Sequence, residues 1–336
     1  MTGLKRSIPA IAALALLGSI AMPAMAQDGP GAGKTIKMAQ ATWDTGWFHA
    51  EIYKQMFEEL GYTVEGPTTL DNPPFYQAVG YGDVDLWVNG WFPIHDTYRP
   101  AFEATAEIVG AVATGGALQG YLIDKASAEK FEIKSLDDFK RDEVKEAFDR
   151  DGDGKADLVA CPPGWGCEVA IEDHLTKYEL KDHINEIKAS YSASMADAVA
   201  AYESGEPILF YTWTPNWTVN ELKIGEDVVW IQVPEEATEE NAAAGIDGCV
   251  ADPCVMGFEA NDIVPVANSG FLEENPAVAT LLKSASIPLE DIFAQNAAMN
   301  DGADKPEDIK KQASDWISDN RDTVDGWLDA ARKAAE

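Results

Sequence analysis

Two successive blocks of alternating strand and helix signals constrain the fold of this chain more than any other feature of its sequence. In the first block, the short apolar run Thr35–Ala41 predicts a strand, and Trp47–Leu60 follows with helical periodicity up to Gly61. Val84–Trp91 predicts a second strand before Pro93, a residue that suits the first turn of a helix. Such alternation predicts an α/β protein with mostly parallel sheets and with ligand sites at the carboxyl ends of the strands.

The alternation resumes after the segment Gly120–Asp124. Periodicity predicts, in chain order, a helix over Leu136–Phe148, a strand over Leu158–Cys161, helices over Glu168–Leu180 and Ala193–Ser204, and strands over Ile208–Thr212 and Val228–Val233. Glu235–Asp262, rich in Glu, Ala and Gly, is interpreted as a loop-like insertion, after which Val264–Ala267 would return the chain to the first block. The C-terminal part predicts helices over Pro276–Ser286, Leu289–Ala298 and Pro306–Ala335. Trp316 and Trp327 are expected to be packing residues of these helices.

The chain opens with the features of an export signal. Lys5 and Arg6 precede an apolar run over residues 8–20, and Ala24–Ala26 supplies small residues for cleavage. Residues 1–26 are therefore predicted to be a signal peptide. No cysteine stands at the end of the apolar run, and no later stretch reaches the roughly 20 apolar residues of a membrane helix. We expect a soluble, exported protein.

Length and order of elements together predict two lobes. Removing residues 1–26 from the 336-residue chain leaves 310 residues, more than the roughly 250–300 at which a single hydrophobic core stops growing. We expect residues 27–124 and 266–336 to form lobe 1 and residues 125–265 to form lobe 2, joined by two crossings.

The mature chain is strongly acidic. Without residues 1–26 it retains 23 basic and 58 acidic side chains, a formal net charge of −35. Nucleic acids and anionic lipids would be repelled, so neither is expected as a partner. The charge favours a cationic or zwitterionic ligand only weakly, because a solvated acidic surface is the preferred explanation for it.

Four cysteines form two close pairs along the sequence. Cys161 and Cys167 are six residues apart, and Cys249 and Cys254 are five apart. In an exported chain the first expectation is two local disulfides, although four cysteines allow three pairings. A zinc site is poorly supported, since neither pair has C-x-x-C spacing and the chain has only four histidines.

Three segments place tryptophan beside turn-forming residues: Trp91–His95, Gly164–Cys167 and Trp213–Trp217. We expect their indoles to be exposed at element ends, where aromatic faces could cage a cation that lacks hydrogen-bond donors. Trp213 at a strand end is the better candidate in its segment, and Trp217 is expected to pack beneath the loop. Taken singly, each segment also suits a purely structural role.

Two of these segments also offer hydrogen-bond donors. The amides of Gly166 and Cys167 would lie near the N-terminus of the helix predicted from Glu168, where free N–H groups bind carboxylate or phosphate. His95 would lie in the first turn after Pro93, and a neutral imidazole can donate one hydrogen bond. A disulfide-closed turn and a local role for His95 remain the structural alternatives.

An acidic loop spans Asp149–Asp157. Its carboxylates occupy positions 1, 3, 5 and 9 of a calcium loop with Gly at position 6, but position 12, which requires Glu, is Ala160. A tight Asx and glycine turn is the preferred interpretation, so no metal ligand is predicted.

Taken together, these segments resemble one protein family. The residues that carry the resemblance are Trp91 with His95, Gln119–Lys125, Asp151–Asp157, Pro163–Glu168 and Tyr211–Pro215. The chain is similar to the periplasmic glycine betaine/proline betaine-binding proteins of ABC uptake systems over nearly all of its mature length. The similarity is weakest over Glu235–Asp262, where the second cysteine pair departs from the family pattern.

The resemblance implies a two-lobed periplasmic binding protein fold, type II-like, with the ligand in the cleft between the lobes. It implies an aromatic box for the quaternary ammonium made by Trp91, Trp165 and Trp213. It implies that the ligand carboxylate is held by His95, Gly166 and Cys167. The implied protein is a periplasmic monomer without a cofactor that takes glycine betaine or proline betaine to a membrane permease of an ABC importer for osmoprotection.

Two other functions also fit the tryptophan segments. A binding protein for choline or another quaternary amine would use the same cage but leave the carboxylate donors unpaired. A secreted glycoside hydrolase would use the tryptophans as sugar platforms and would need two converging carboxylates; Asp96 and Glu168 flank the segments but suit helix starts. A nucleophilic Cys167–His95 pair would be disabled by a disulfide to Cys161. We expect no enzyme.

Overall fold

The computed structural model describes residues 29–336 and contains two mixed β-sheets flanked by helices. The predicted signal peptide lies outside the described residues. No helix within residues 29–336 combines the length and the apolar character that crossing a bilayer requires.

Each lobe is built around one of the sheets. The strands are β1 (Thr35–Ala41), β2 (Thr63–Leu70), β3 (Leu86–Phe92), β4 (Ala106–Ile108), β5 (Ala113–Ala117), β6 (Gln119–Asp124), β7 (Ala156–Val159), β8 (Ile184–Ile187), β9 (Leu209–Trp213), β10 (Val228–Ile231) and β11 (Asn261–Asn268). The first sheet has the order β2-β1-β3-β11-β4, with β5 also paired to β11. The second sheet has the order β10-β6-β9-β7-β8.

Helices follow most of the strands. They are α1 (Trp47–Glu59), α2 (Asn72–Tyr81), α3 (Arg99–Phe102), α4 (Lys125–Phe131), α5 (Asp142–Phe148), α6 (Gly166–Lys177), α7 (Tyr191–Glu203), α8 (Thr218–Glu221), α9 (Ser269–Glu274), α10 (Pro276–Ser284), α11 (Leu289–Asn300), α12 (Pro306–Asp319) and α13 (Arg321–Ala334). Short 3₁₀ helices cover Asp44–Gly46, Ile94–Tyr98 and Leu136–Lys140.

The expectation of mostly parallel sheets is wrong. In the first sheet β1 is parallel to β2 and β3, but β11 is antiparallel to β3, β4 and β5. In the second sheet β7 is parallel to β8 and β9, but β6 is antiparallel to β9 and β10. Strands β6 and β11 are those that receive the chain from the other lobe. A strand is placed parallel to its neighbour when a helical crossover connects the two within one sheet. Strands β6 and β11 have no such connection, so the alternation of strands and helices does not predict their direction.

Strand pairing also bears on where the chain passes between lobes. The sequence prediction put the crossings after Asp124 and before Val266. Strand β6 hydrogen-bonds within the second sheet, and β11 does so within the first. The pairing favours crossings near Leu118 and just before Asn261; the exact limits of the lobes stay a prediction.

Several elements differ from the sequence prediction. Strand β2 and helix α2 were not predicted, because every residue of β2 is at least partly exposed and α2 starts with two prolines after Asn72. The helix predicted over Leu136–Phe148 is interrupted at Arg141, whose backbone is extended. The last predicted helix is interrupted at Asn320, between α12 and α13.

Two disulfides join the cysteines that are close in sequence. Cys161 is bonded to Cys167, and Cys249 is bonded to Cys254. The first bridge ties the start of α6 to the residues that follow β7. The second closes a loop within the predicted insertion, between β10 and β11. The expectation of two local disulfides is confirmed.

We expect Gly326→Ala to raise the free energy of unfolding by about 0.5–1 kcal/mol, because alanine favours the helical backbone over glycine. Gly326 is exposed within α13, and a β-carbon there would meet no other atom. The matched control is Gly80→Ala in α2, where a β-carbon would overlap the Ala101 carbonyl oxygen and should destabilise the fold. Urea unfolding of both variants checks the opposite signs; destabilisation by Gly326→Ala would contradict the helix assignment.

Candidate functional site

A cavity between the two lobes contains all six residues predicted to bind a ligand. It encloses about 320 Å³ of empty space, its open mouth included. Its lining is Trp43, Asn72, Trp91, Ile94, His95, Gln119, Trp165, Gly166, Cys167, Tyr211 and Trp213. The structure therefore brings together segments that are up to 170 positions apart in the chain.

The ends of strands position the three predicted indoles. Trp91 is near the carboxyl end of β3, Trp213 is the last residue of β9, and Trp165 is the N-cap of α6 after β7. The ring centroids of Trp165 and Trp213 lie 5.6 Å apart in an edge-to-face arrangement. Contrary to the expected exposure, the three indoles are only 4–8% exposed, and Trp165 and Trp213 both contact the first lobe. Trp217 is half-buried, packs against the core and does not line the cavity, in agreement with its predicted role.

Trp43 is a fourth indole in the cavity that the sequence reasoning missed. It follows the end of β1, and its ring centroid lies 5.3 Å from that of Trp165 and 6.0 Å from that of His95. No glycine or proline adjoins it, so the pattern that singled out the other three indoles did not include it, although it lies near a strand end, as they do.

Two of the indoles donate hydrogen bonds across the cleft. Trp165 Nε1 donates to Thr42 Oγ1 at 2.9 Å, and Trp213 Nε1 donates to Thr45 Oγ1 at 3.3 Å. Thr42 in turn donates to Asp71 Oδ1 at 2.6 Å. Indoles of the second lobe are thus bonded to hydroxyl groups of the first.

His95 is a neutral hydrogen-bond donor in the cavity. Its Nδ1 accepts the backbone N–H of Trp91 at 3.0 Å and lies 2.7 Å from the Tyr76 hydroxyl. Burial lowers the pKa of His95 to about 3, so the ring carries one proton. A backbone N–H can only donate, which places that proton on Nε2. Nε2 lies 3.1 Å from the side-chain amide of Asn72. Since two N–H groups repel each other and Asn72 Oδ1 would otherwise have no partner, the amide oxygen is the group that faces Nε2 in the ligand-free cavity, and a ligand oxygen would compete with it for the Nε2 proton.

The N-terminus of α6 supplies two more donors. Gly166 and Cys167 are its first residues, and among the described residues neither of their backbone N–H groups has a hydrogen-bond acceptor. A β-carbon at Gly166 would stand 2.8 Å from His95 Cδ2 and 3.4 Å from its Nε2, so the imidazole packs directly against this glycine. Since the helix dipole adds partial positive charge here, the three donors form a site suited to a carboxylate.

Carboxylates lie on the other side of the indoles. A second cavity shares Trp43, Trp165 and Trp213 with the first and is lined also by Asp44 and Asp71. Burial raises the pKa of Asp44. The N–H donors therefore line one cavity and the acidic groups line the other, with three indoles common to both, an arrangement that suits a zwitterion.

Asp96 and Glu168, the carboxylates of the alternative enzyme interpretation, do not line this cavity, and Cys167, which does, cannot act as a nucleophile because it is held in its disulfide. Asp96 pairs with Arg99, and Glu168 accepts the N–H of Gly164 at 2.8 Å.

The acidic loop forms Asx turns. Asp149, Asp151 and Asp153 cluster within 4.8 Å. Their carboxylates accept backbone N–H groups of the same loop, as the preferred interpretation expected; for example, Asp149 Oδ1 accepts from Gly152 at 2.7 Å.

The chain is similar in sequence to known binding proteins. Residues 34–319 match the family model described as the substrate binding domain of ABC-type glycine betaine transport systems. The chain is 39% identical to the glycine betaine-binding periplasmic protein OusX of Dickeya dadantii, over 93% of this chain and 94% of that protein. It is 38% identical to the glycine betaine/proline betaine-binding periplasmic protein of Escherichia coli K12, over 94% and 95% of the two chains.

Solved structures share the fold at lower identity. Lactococcal OpuAC, complexed with glycine betaine, aligns with a TM-score of 0.67 at 22% identity, covering 88% of this chain and 99% of that one. An ABC-transporter choline-binding protein aligns with a TM-score of 0.67 at 21% identity, covering 90% and 96%. The predicted two-lobed periplasmic binding protein fold is confirmed. The chain therefore belongs to the family of substrate-binding domains of ABC-type glycine betaine transport systems.

Proposed function

We propose that the protein is the periplasmic substrate-binding component of an ABC importer, which captures glycine betaine or proline betaine for osmoprotection and presents it to a membrane permease. The observation that carries this proposal is one cavity in which indole rings face convergent N–H donors. The names of the relatives from Dickeya dadantii and Escherichia coli support the same ligand class.

The aromatic end would bind the quaternary ammonium. A methylated ammonium has no N–H donors and is weakly hydrated, so aromatic faces suit it better than a single carboxylate; each desolvated contact contributes about 2 kcal/mol. Trp91, Trp165 and Trp213 form the proposed cage, and Trp43 adds a fourth ring. The adjoining cavity, which shares three of these indoles, is lined also by Asp71, and a carboxylate there favours a cation at this end.

The donor end would bind the carboxylate. His95 Nε2–H and the amides of Gly166 and Cys167 are its proposed donors. Each hydrogen bond to a charged group contributes about 1.5–3 kcal/mol. These donors separate betaines from choline, because a single hydroxyl accepts fewer hydrogen bonds and carries no charge.

We infer binding without catalysis. Among the described residues, the cavity that holds the donors is lined by no Asp or Glu, so it lacks the carboxylate pair of a glycosidase. Cys167 is disulfide-bonded and therefore offers no thiolate, and burial lowers the pKa of His95 to about 3, which makes its ring a weak base; both support a receptor more than a nucleophilic enzyme.

Lobe closure would link binding to transport. A ligand in the cavity would touch Trp91 and His95 from the first sheet's side and Trp165 and Trp213 from the second's. It would therefore favour the closed form, and the permease could recognise that form.

Glycine betaine is expected to bind at least about tenfold more tightly than choline, because choline leaves carboxylate donors unpaired. Isothermal titration calorimetry with both ligands checks this. Equal affinities would contradict the assignment of His95, Gly166 and Cys167 to the carboxylate.

Gly166→Ala is expected to weaken glycine betaine binding by about 10- to 100-fold, since the new methyl group would displace the His95 ring and disturb one or two charge-assisted hydrogen bonds. The control is Gly326→Ala, which adds the same methyl group far from the cavity and should leave the affinity unchanged. Titrations by intrinsic fluorescence compare the two variants. Unaltered affinity in Gly166→Ala would refute the proposed carboxylate site.

The affinity for glycine betaine is expected to vary by less than about twofold between pH 8 and pH 5.5. Burial lowers the pKa of His95 to about 3, so the ring stays neutral and Nδ1 stays an acceptor over this range. Affinity should fall only as the pH approaches that pKa. Calorimetry at pH 6.5 in two buffers of different ionisation enthalpy should also show no proton uptake; a loss of affinity centred near pH 6.5, the ordinary pKa of histidine, would show that His95 titrates.

A further inference from the structure

Two of the cage indoles share a single hydrogen-bond acceptor. Asn89 Oδ1 accepts from Trp43 Nε1 at 2.9 Å and from Trp91 Nε1 at 2.8 Å. Asn89 lies on β3 two residues before Trp91, so both side chains are on the same face of the strand. It is 1% exposed.

The orientation of the Asn89 amide is fixed by its partners. An indole N–H can only donate, so two indoles require the amide oxygen, and Nδ2 is left to face His49 Nε2. Burial lowers the pKa of His49 to about 3, which makes its ring neutral and its Nε2 an acceptor. The three hydrogen bonds that link the two indoles, Asn89 and His49 therefore each have one consistent donor and one consistent acceptor.

The backbone leaves space for this arrangement. Gly46 lies against Asn89, where a β-carbon would overlap Asn89 Nδ2 and stand 3.3 Å from Trp43 Nε1. Residue 46 belongs to the 3₁₀ helix that follows Trp43. The loop after β1 and the end of β3 are thus packed around one amide group.

We propose that Asn89 is a positioning residue of the ligand cavity, which holds Trp43 and Trp91 as one unit and keeps their N–H groups away from the quaternary ammonium. This inference rests on the proposed betaine-binding function. An indole N–H carries partial positive charge, so a ring that turned it toward the cavity would repel the cation its face attracts. Fixing both rings in advance also lowers the entropy lost on binding.

This pairing differs from that of the other two indoles. Trp43, Trp91, Asn89 and His49 all come from the block before the first crossing, so their hydrogen bonds do not depend on lobe closure. Trp165 and Trp213 donate across the cleft and would lose their partners when the lobes separate.

The first test is hydrogen exchange of the indole N–H groups, followed by NMR on the ligand-free, full-length mature protein. We expect the Trp43 and Trp91 signals to remain protected while those of Trp165 and Trp213 exchange faster. Exchange of Trp43 and Trp91 as fast as that of Trp165 and Trp213 would overturn the proposal. This measurement needs no ligand and no variant, so it stands even if betaine binding fails.

The second test is a mutant cycle on glycine betaine affinity. Asn89→Leu should weaken binding about tenfold in the wild-type background, because both indoles lose their acceptor. In the Trp43→Phe/Trp91→Phe background the rings have no N–H, so Asn89→Leu should change affinity less than about twofold. An equal loss in both backgrounds would mean a general structural role for Asn89 and would overturn the proposal.

The outcomes separate the two proposals. Absence of glycine betaine binding to the wild-type protein would refute the proposed function, and the exchange data would still report on Asn89. Normal binding with unprotected Trp43 and Trp91 N–H groups would refute the role of Asn89 alone. If Asn89→Leu does not fold, as judged by circular dichroism, the exchange experiment decides.

Discussion

A quaternary ammonium, whose nitrogen is bonded to four carbon atoms, has no N–H to donate and is repelled by the N–H groups of other molecules. A cavity for such an ion therefore depends on satisfying every indole N–H outside it. The four rings do this with three acceptors behind the aromatic surface: Asn89 for Trp43 and Trp91, Thr42 for Trp165, and Thr45 for Trp213. His95 must also be neutral for the cation to bind, since a charged imidazolium beside the cage would repel it, and burial keeps the ring neutral by lowering its pKa.

The acceptors are unevenly distributed between the lobes. All three lie in the first block of the chain. The first lobe therefore supplies the acceptor for its own indoles, and the indoles of the second lobe donate to hydroxyl groups of the first. The N–H groups of Trp165 and Trp213 would therefore gain their acceptors only when the cleft closes, whereas those of Trp43 and Trp91 have theirs in either state. The short segment after β1 is therefore as important to the cavity as the three predicted Trp segments, because it supplies Trp43 and the two threonines that accept from Trp165 and Trp213.

The sequence could predict the parts of the fold that depend on local pattern. The strand and helix at Thr35–Ala41 and Trp47–Glu59 follow from periodicity, and the site residues follow from indoles, glycines and a histidine beside strand ends and a helix start. It could not predict β2, whose residues are all partly or fully exposed. Nor could it predict the antiparallel direction of β6 and β11, because each enters its sheet from the other lobe and not through a helical crossover within one sheet. Trp43 was missed because no glycine or proline adjoins it, and Asn89 because a buried amide inside a strand has no sequence signature.

The disulfide between Cys161 and Cys167 has a consequence for when the site matures. It ties the first turn of α6 to the end of β7, and its formation requires an oxidising compartment. In the reducing cytosol the newly made precursor would have two free thiols at the turn that presents the Gly166 and Cys167 amides. The proposed receptor would thus be completed only on the far side of the inner membrane.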